Sequence, residues 1–290
     1  MELLKKDINI FYKVWDEVGQ AKAILQIFHG MVEHIERYDD FARFLNTKGI
    51  IVYGMDIRGH GKTGVENNQL GVFATNDGWD KVLADQKDLF ELMVKKHPNI
   101  PKILLGHSMG SFFARNYINI FPKDFDAAII MGTGKADDPS YKLADLMLRF
   151  FNPLKPAKLM NSMAFGSYNK FFEKPNTDFD WLSRDAVQVK KYIDDPLSGF
   201  LVKNSFYKDF MKGMHTVAKH EKNPNQEIKL LFVSGDKDPV GGMGKFVNEA
   251  ADIYKQAEKK LYPDMRHEIL NEIGRQEVYD DIAAWIGRIV

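Results

Sequence analysis

Short apolar runs ending in glycine or a polar residue alternate with longer amphipathic stretches along most of this chain. No other feature narrows the fold as much. "AILQIFHG" (Ala23 to Gly30) leads into "RYDDFARFLNTKG", where Tyr38, Phe41, Phe44 and Leu45 fall at helical spacing and Gly49 stops the helix. "IIVYGMD", "KILLGHS", "DAAIIMGTG", "IKLLFVSGDKDP" and "EKKLYPDMRHE" read as further strands. "WDKVLADQKDLFELMVKKHP", "SFFARNYINIFP", "FVNEAADIYKQA" and "EVYDDIAAWIGRIV" read as helices between and after them. Such alternation predicts an α/β fold: a mostly parallel sheet with helices on both faces. "INIFYKVWDE" alternates apolar and polar residues and predicts an antiparallel edge strand.

The rhythm stops from about Lys135 to about Phe210, a stretch rich in Met, Phe, Tyr and Leu and punctuated by Pro139, Pro153, Pro156, Pro175 and Pro196. It reads as an insertion of short helices between two strands, covering one rim of the sheet. The expected organisation is a core of residues 1–134 and 211–290 with a helical cap at 135–210.

With 290 residues and 44% hydrophobic content, the chain can bury a sizeable core as one domain with an insertion. Forty basic residues balance forty acidic ones, so no electrostatic attraction to nucleic acid is expected. There is no cysteine, which excludes disulfides, thiolate catalysis and cysteine-based metal sites. "MELLKKDINIFYKVW" lacks a signal-peptide core, and no run approaches the roughly 18 apolar residues of a membrane span. A soluble, cytoplasmic protein is expected.

In a parallel sheet, ligands bind beyond the carboxyl ends of the strands. The polar residues there are His29-Gly30-Met31, Asp56, His107-Ser108, Gly132-Thr133, Asp236, Asp238 and His267. Gly106-His107-Ser108-Met109-Gly110 sits between an apolar strand and a helix, the context of a nucleophile elbow. Small flanking residues are needed because the serine occupies a strained turn and neighbouring chain passes close by. Such a serine needs a base and an acid, in the order Ser, acid, His. Only His215, His220 and His267 follow Ser108, and the first two lie in the polar helical stretch "KGMHTVAKHEKN". His267, in a loop after the last strand, is the candidate base.

Two carboxylates compete for the acid. Asp238 stands in Gly-x-x-Asp-Pro-Val and has reach over the strand end; Asp236 suits an ordinary turn residue. Asp238 is favoured, to hold the His267 tautomer and stabilise its imidazolium. Two backbone N–H donors for a developing oxyanion are expected from Met109, after the serine, and Met31, in the loop "FHGMVEH". The Gly-rich "DIRGHGKTG" lacks the spacing of a phosphate loop, and His29, His34 and His60 match no metal motif, so packing roles suit them better.

"FHGMVEHIERYDDFARFL", "DIRGHG", "GHSMG", "GDKDPV" and "RHEIL" occur in the order and at the spacing of α/β-hydrolases of the monoacylglycerol lipase and lysophospholipase group, which the chain resembles over nearly its whole length. His-Gly-x-x-Glu-His-x-x-Arg-Tyr, His29 to Tyr38, is the most specific part. The resemblance implies a Ser108–Asp238–His267 triad, a Met31/Met109 oxyanion hole, no cofactor or metal, and a cap over an acyl-chain tunnel. Phe151, Met160, Met163, Phe165 and Phe171 are the cap residues expected to line that tunnel.

The chemistry expected is ester hydrolysis through an acyl-enzyme, on a monoacylglycerol, a lysophospholipid or a medium-chain ester. An apolar cap allows transient contact with a membrane surface. Three readings stay open beside it: amide hydrolysis as in the serine aminopeptidases of this fold, acyl transfer to an alcohol, and non-catalytic ligand binding. The oligomeric state has no signature in the chain.

Overall fold

The computed structural model describes all 290 residues. Eight strands, β1 (Glu2–Lys5), β2 (Asn9–Trp15), β3 (Ala23–Phe28), β4 (Ile50–Met55), β5 (Lys102–His107), β6 (Ala127–Met131), β7 (Lys229–Gly235) and β8 (Ala257–Tyr262), form one sheet ordered β1-β2-β4-β3-β5-β6-β7-β8. Pairings from β4 through β8 are parallel, while β2 pairs antiparallel with β1 and β4. The expected antiparallel edge is therefore β2, with β1 added outside it. "ELLK" is a four-residue, mostly exposed strand and carries too little periodicity to announce itself.

The central strands are buried on both faces, which is why they read as continuous apolar runs. In β3, Ile24 and Phe28 face a core built on α3 (Gly78–Lys96) and α4 (Met109–Ile120). Leu25 and Ile27 face the opposite core, on α1 (Asp39–Thr47) and α10 (Arg275–Ile289). In the first core the Trp79 ring stacks on Phe113 at 3.8 Å, a pair worth about 0.5–1.5 kcal/mol beyond its area burial.

From β3 the chain winds through α1 to β4, then crosses back over β3 to β5. Winding thus reverses between β3 and β5, opening a crevice beyond their carboxyl ends. Met31 leaves one of these ends and Ser108 the other.

Between β6 and β7 lie α5 (Pro139–Leu148), α6 (Lys158–Phe165), a 3₁₀ turn (Tyr168–Phe171), α7 (Ala186–Asp194) and α8 (Asn204–His220). Asp138 caps α5, with Pro139 in its first turn, and Asp185 caps α7; each carboxylate accepts from backbone N–H groups of the first turn. The expected cap edge at residue 210 falls inside α8. Phe206, Phe210, Met214 and Val217 keep one buried stripe running along that helix, which packs on α3 and α4 as well as on α5. No helix is long and apolar enough to cross a membrane.

Candidate active site

Ser108 directly follows β5 and caps α4 with φ 51° and ψ −119°, a positive-φ conformation that costs a non-glycine residue of order 1–3 kcal/mol. The flanking glycines make the bend possible. A Cβ at Gly106 would strike the Gly110 carbonyl and the Ala114 side chain; one at Gly110 would strike the Phe28 and His29 carbonyls. The strained turn is tied down by the Ser108 N–H, which donates to the Met131 carbonyl at 3.0 Å.

His267 follows β8, and its Nδ1 lies 3.0 Å from Asp238 Oδ1; both residues are buried. Asp238 also accepts from the Ser234 hydroxyl and the Val240 N–H, each at 2.9 Å. Burial would raise the Asp238 carboxyl, but its interaction with His267 and these hydrogen bonds outweigh it and hold the group below its usual range. A carboxylate facing Nδ1 keeps the proton there and leaves Nε2 free to accept one. Asp236, the competing carboxylate, is engaged elsewhere and accepts from the Asp264 N–H at 2.8 Å.

Ser108 and His267 line one cavity. The hydrogen bonds of the site include none between them, and nucleophile–base bonds are often long until substrate binds. The Met31 N–H has no acceptor within the chain, and Met109 opens α4, where an amide lacks a helical partner. Both methionines border a cavity that also contains Ser108.

That cavity has two lobes, each of about 380 Å³, which share Met31, Ser108 and Phe165. One is apolar, walled by Phe112, Ala144, Met160, Phe210 and Met211. The other is the more polar of the two and offers Asn161, Ser162, Asn169 and Asp178 beside Phe179, Leu182 and Phe200. Of the five expected cap residues, Met160, Met163 and Phe165 line the apolar lobe. Phe151 and Phe171 line neither lobe and are 37% and 61% exposed, the first just past the end of α5 and the second closing the 3₁₀ turn. Phe112, Phe210 and Met211 line the apolar lobe as well. They come from α4 and α8, whose apolar faces look in sequence like ordinary core.

The family profile described as "serine aminopeptidase, S33" matches residues 19–274. The chain belongs to this family of α/β-hydrolases. It is 27% identical over 282 residues to the monoacylglycerol lipase of Mycolicibacterium smegmatis, covering 96% of this chain and 93% of that one. The monoglyceride lipase of Rattus norvegicus is 24% identical, with 96% of this chain and 86% of the relative covered. Among solved structures, a thermostable carboxyl esterase from Bacillus coagulans in complex with glycerol superposes with a TM-score of 0.92 at 25% identity, covering 100% and 97% of the two chains.

In this α/β-hydrolase a buried ionic cluster, unread at the level of sequence, braces the site. Glu33 Oε1 accepts from the Gly30 N–H at 2.5 Å, the Tyr38 hydroxyl at 2.9 Å and His107 Nδ1 at 3.1 Å. Arg37 donates to Glu33 Oε2 at 2.7 Å and forks onto both oxygens of Glu268, each at 2.7 Å. The cluster therefore joins the loop carrying Met31, the residue before Ser108 and the residue after His267. The Glu33–Arg37–Tyr38 part of the most specific sequence stretch is this brace.

The cluster has a pH signature. Burial works to raise the Glu33 carboxyl, yet His107 and Arg37 bring it well below 4.5. Burial works to lower His107, yet Glu33 raises it above 6.5. Glu33's contribution to stability is present above 4.5 and lost as pH falls through its depressed value; His107's is present below 6.5 and lost as pH rises through its raised value. Glu33→Gln is expected to cost about 3 kcal/mol by leaving buried cations under-compensated. The penalty should peak between pH 4.5 and 6.5, read as urea midpoints across a pH series. A penalty that does not change with pH would remove His107 from the pair.

The other histidines hold loops. His29 donates from Nδ1 to the Gly30 carbonyl at 2.8 Å and accepts the Ile57 N–H on Nε2 at 2.9 Å. His60, pushed down to about 3 by burial, packs among Phe73, Phe200 and Phe206. His34 pairs with Asp195 at 2.6 Å. In "DIRGHGKTG", Asp56 accepts from the Ile35 and Lys62 N–H groups at 3.0 and 2.7 Å and so fastens two loops. His215 is exposed, and His220 takes a hydrogen bond from Asn116 at 2.8 Å.

Proposed function

We propose that this α/β-hydrolase cleaves carboxylic esters of acyl lipids, with a monoacylglycerol as the best-fitting substrate. One observation carries the reading: the serine of the elbow stands where an apolar lobe and a polar lobe meet. The acyl chain enters the apolar lobe and the alcohol the polar one, which puts the ester carbonyl at Ser108.

Ser108 Oγ attacks that carbonyl carbon while His267 Nε2 takes the hydroxyl proton and Asp238 stabilises the imidazolium. The Met31 and Met109 N–H groups receive the oxyanion. Collapse of the tetrahedral intermediate breaks the ester C–O bond; the imidazolium protonates the departing alcohol and an acyl-enzyme remains. Water, deprotonated by His267, then releases the fatty acid. The monoacylglycerol lipases among its relatives support this substrate class, and glycerol, the alcohol such a substrate releases, is present in the esterase complex. A substrate amine would draw on a free buried carboxylate, yet Glu33 and Glu268 are both engaged by Arg37, and Asp178, the unpaired carboxylate of the polar lobe, is exposed to water that screens its charge. Ester cleavage is thus the better fit.

A hydrolysis profile over monoacylglycerols, lysophospholipids and p-nitrophenyl esters of graded length tests this. Monoacylglycerols and medium-chain esters should exceed the acetyl ester in kcat/KM by about 10²-fold, each buried methylene adding about 0.8 kcal/mol. A panel without turnover of any ester would overturn the reading.

A further inference from the structure

One strip of the cap grips the loop that carries His267. The Glu268 N–H donates to the Leu182 carbonyl at 2.8 Å and the His267 N–H to the Trp181 carbonyl at 3.4 Å. Arg266 Nη1 donates to the carbonyls of Asp180 at 2.5 Å and Ser183 at 3.3 Å. The Ser183 hydroxyl donates to the Asn271 carbonyl at 2.9 Å, and Arg184 Nε to Glu272 at 3.0 Å. This strip is held to the core loop by backbone as well as side chains, unlike a cover that rests on apolar contacts alone.

At its centre the Trp181 ring lies 5.2 Å from the His267 imidazole, tilted by 38°. Trp181 is buried and is held in turn by Phe165, stacked at 5.7 Å and 19°, and by Tyr168, edge-on at 5.0 Å. The Trp181 backbone N–H donates to Asn169 Oδ1 at 2.9 Å and fixes the main chain beneath the ring. The Asp238 bond restrains only the Nδ1 edge of the imidazole, which leaves the ring able to swing about that edge. An aromatic face packed against it blocks the swing and attracts the ring once it is cationic. His107, whose ring is 4.9 Å away, offers no such attraction, since Glu33 favours its own charged form.

We infer that Trp181 is a positioning residue for His267, so that the 180–184 strip of the cap is a fixed part of the active centre. This rests on His267 being the base of the proposed reaction. Trp181→Leu keeps apolar bulk without the aromatic face; Trp181→Phe keeps a face. In the 290-residue chain, Trp181→Leu should lower kcat on a medium-chain p-nitrophenyl ester about tenfold with KM within about twofold. It should also lose the downfield proton resonance of the His267–Asp238 hydrogen bond. Trp181→Phe should recover most of kcat and keep that resonance, with both variants melting within a few degrees of each other.

Wild-type kcat in Trp181→Leu, a loss carried by KM, or a Phe variant as slow as the Leu variant each overturns the inference. Any of these leaves the hydrolase reading standing so long as Ser108→Ala is inactive. An active Ser108→Ala variant would remove both.

Discussion

Ser108→Ala is expected to lower hydrolysis of a chromogenic acyl ester by about 10⁶-fold and to abolish labelling by a fluorophosphonate. The loss follows from the site's layout: one hydroxyl stands at the junction of two lobes on a strained turn, while Thr133, another strand-end hydroxyl, is buried outside both lobes and bonded to Ser111 and Arg115. The substitution removes a single oxygen and keeps the same backbone problem at φ 51°, so thermal stability should hardly change. Some rate above that of water should persist, because the Met31 and Met109 N–H groups and the binding lobes remain. Wild-type labelling of the variant would place the nucleophile elsewhere and sink the mechanism.

Asp238→Asn should cut kcat by about 10⁴-fold with little change in KM. Asparagine has nearly the same shape, but its amide nitrogen donates. Because the Val240 N–H donates to the same Oδ1 that faces His267 Nδ1, the amide either keeps its oxygen there and loses the negative charge that stabilises the imidazolium, or turns its nitrogen there and moves the proton to Nε2; both leave the serine proton without an effective base. The Ser234 and Val240 hydrogen bonds fix the carboxylate's orientation. The decisive control is Asp236→Asn. Its carboxylate bonds the Asp264 N–H, so activity within about threefold of wild type is expected, as for a surface change away from the chemistry. A large loss in Asp236→Asn with an active Asp238→Asn would exchange their roles.

The elbow was legible because its physics is local. Gly106 and Gly110 are adjacent in sequence to the serine they free, and the apolar strand and helix on either side are read from nearest-neighbour periodicity. The turn sequence favours Asp238 over Asp236; in the fold the Asp238 carboxylate is buried against His267 and the Asp236 carboxylate reaches a loop amide. The cap was less legible. Its helices are short and broken by prolines, so too few turns exist to set an apolar phase. Met160 and Phe165 therefore turn inward where Phe151 and Phe171 turn out.

Periodicity, strand-end chemistry and the Ser–Asp–His order lead from the sequence to an α/β sheet, an interruption of its rhythm and a set of residues expected to react. Each rests on residues close in sequence or on a sheet rule that orders them. Three features needed the folded chain: the Glu33–Arg37–Glu268 brace, the division of the cavity into polar and apolar lobes, and the Trp181 face on His267. These depend on groups far apart in sequence, such as Arg37 with Glu268, being buried together. Whether a charge is paired, or a ring meets a particular face, is a property of packing that no local pattern encodes.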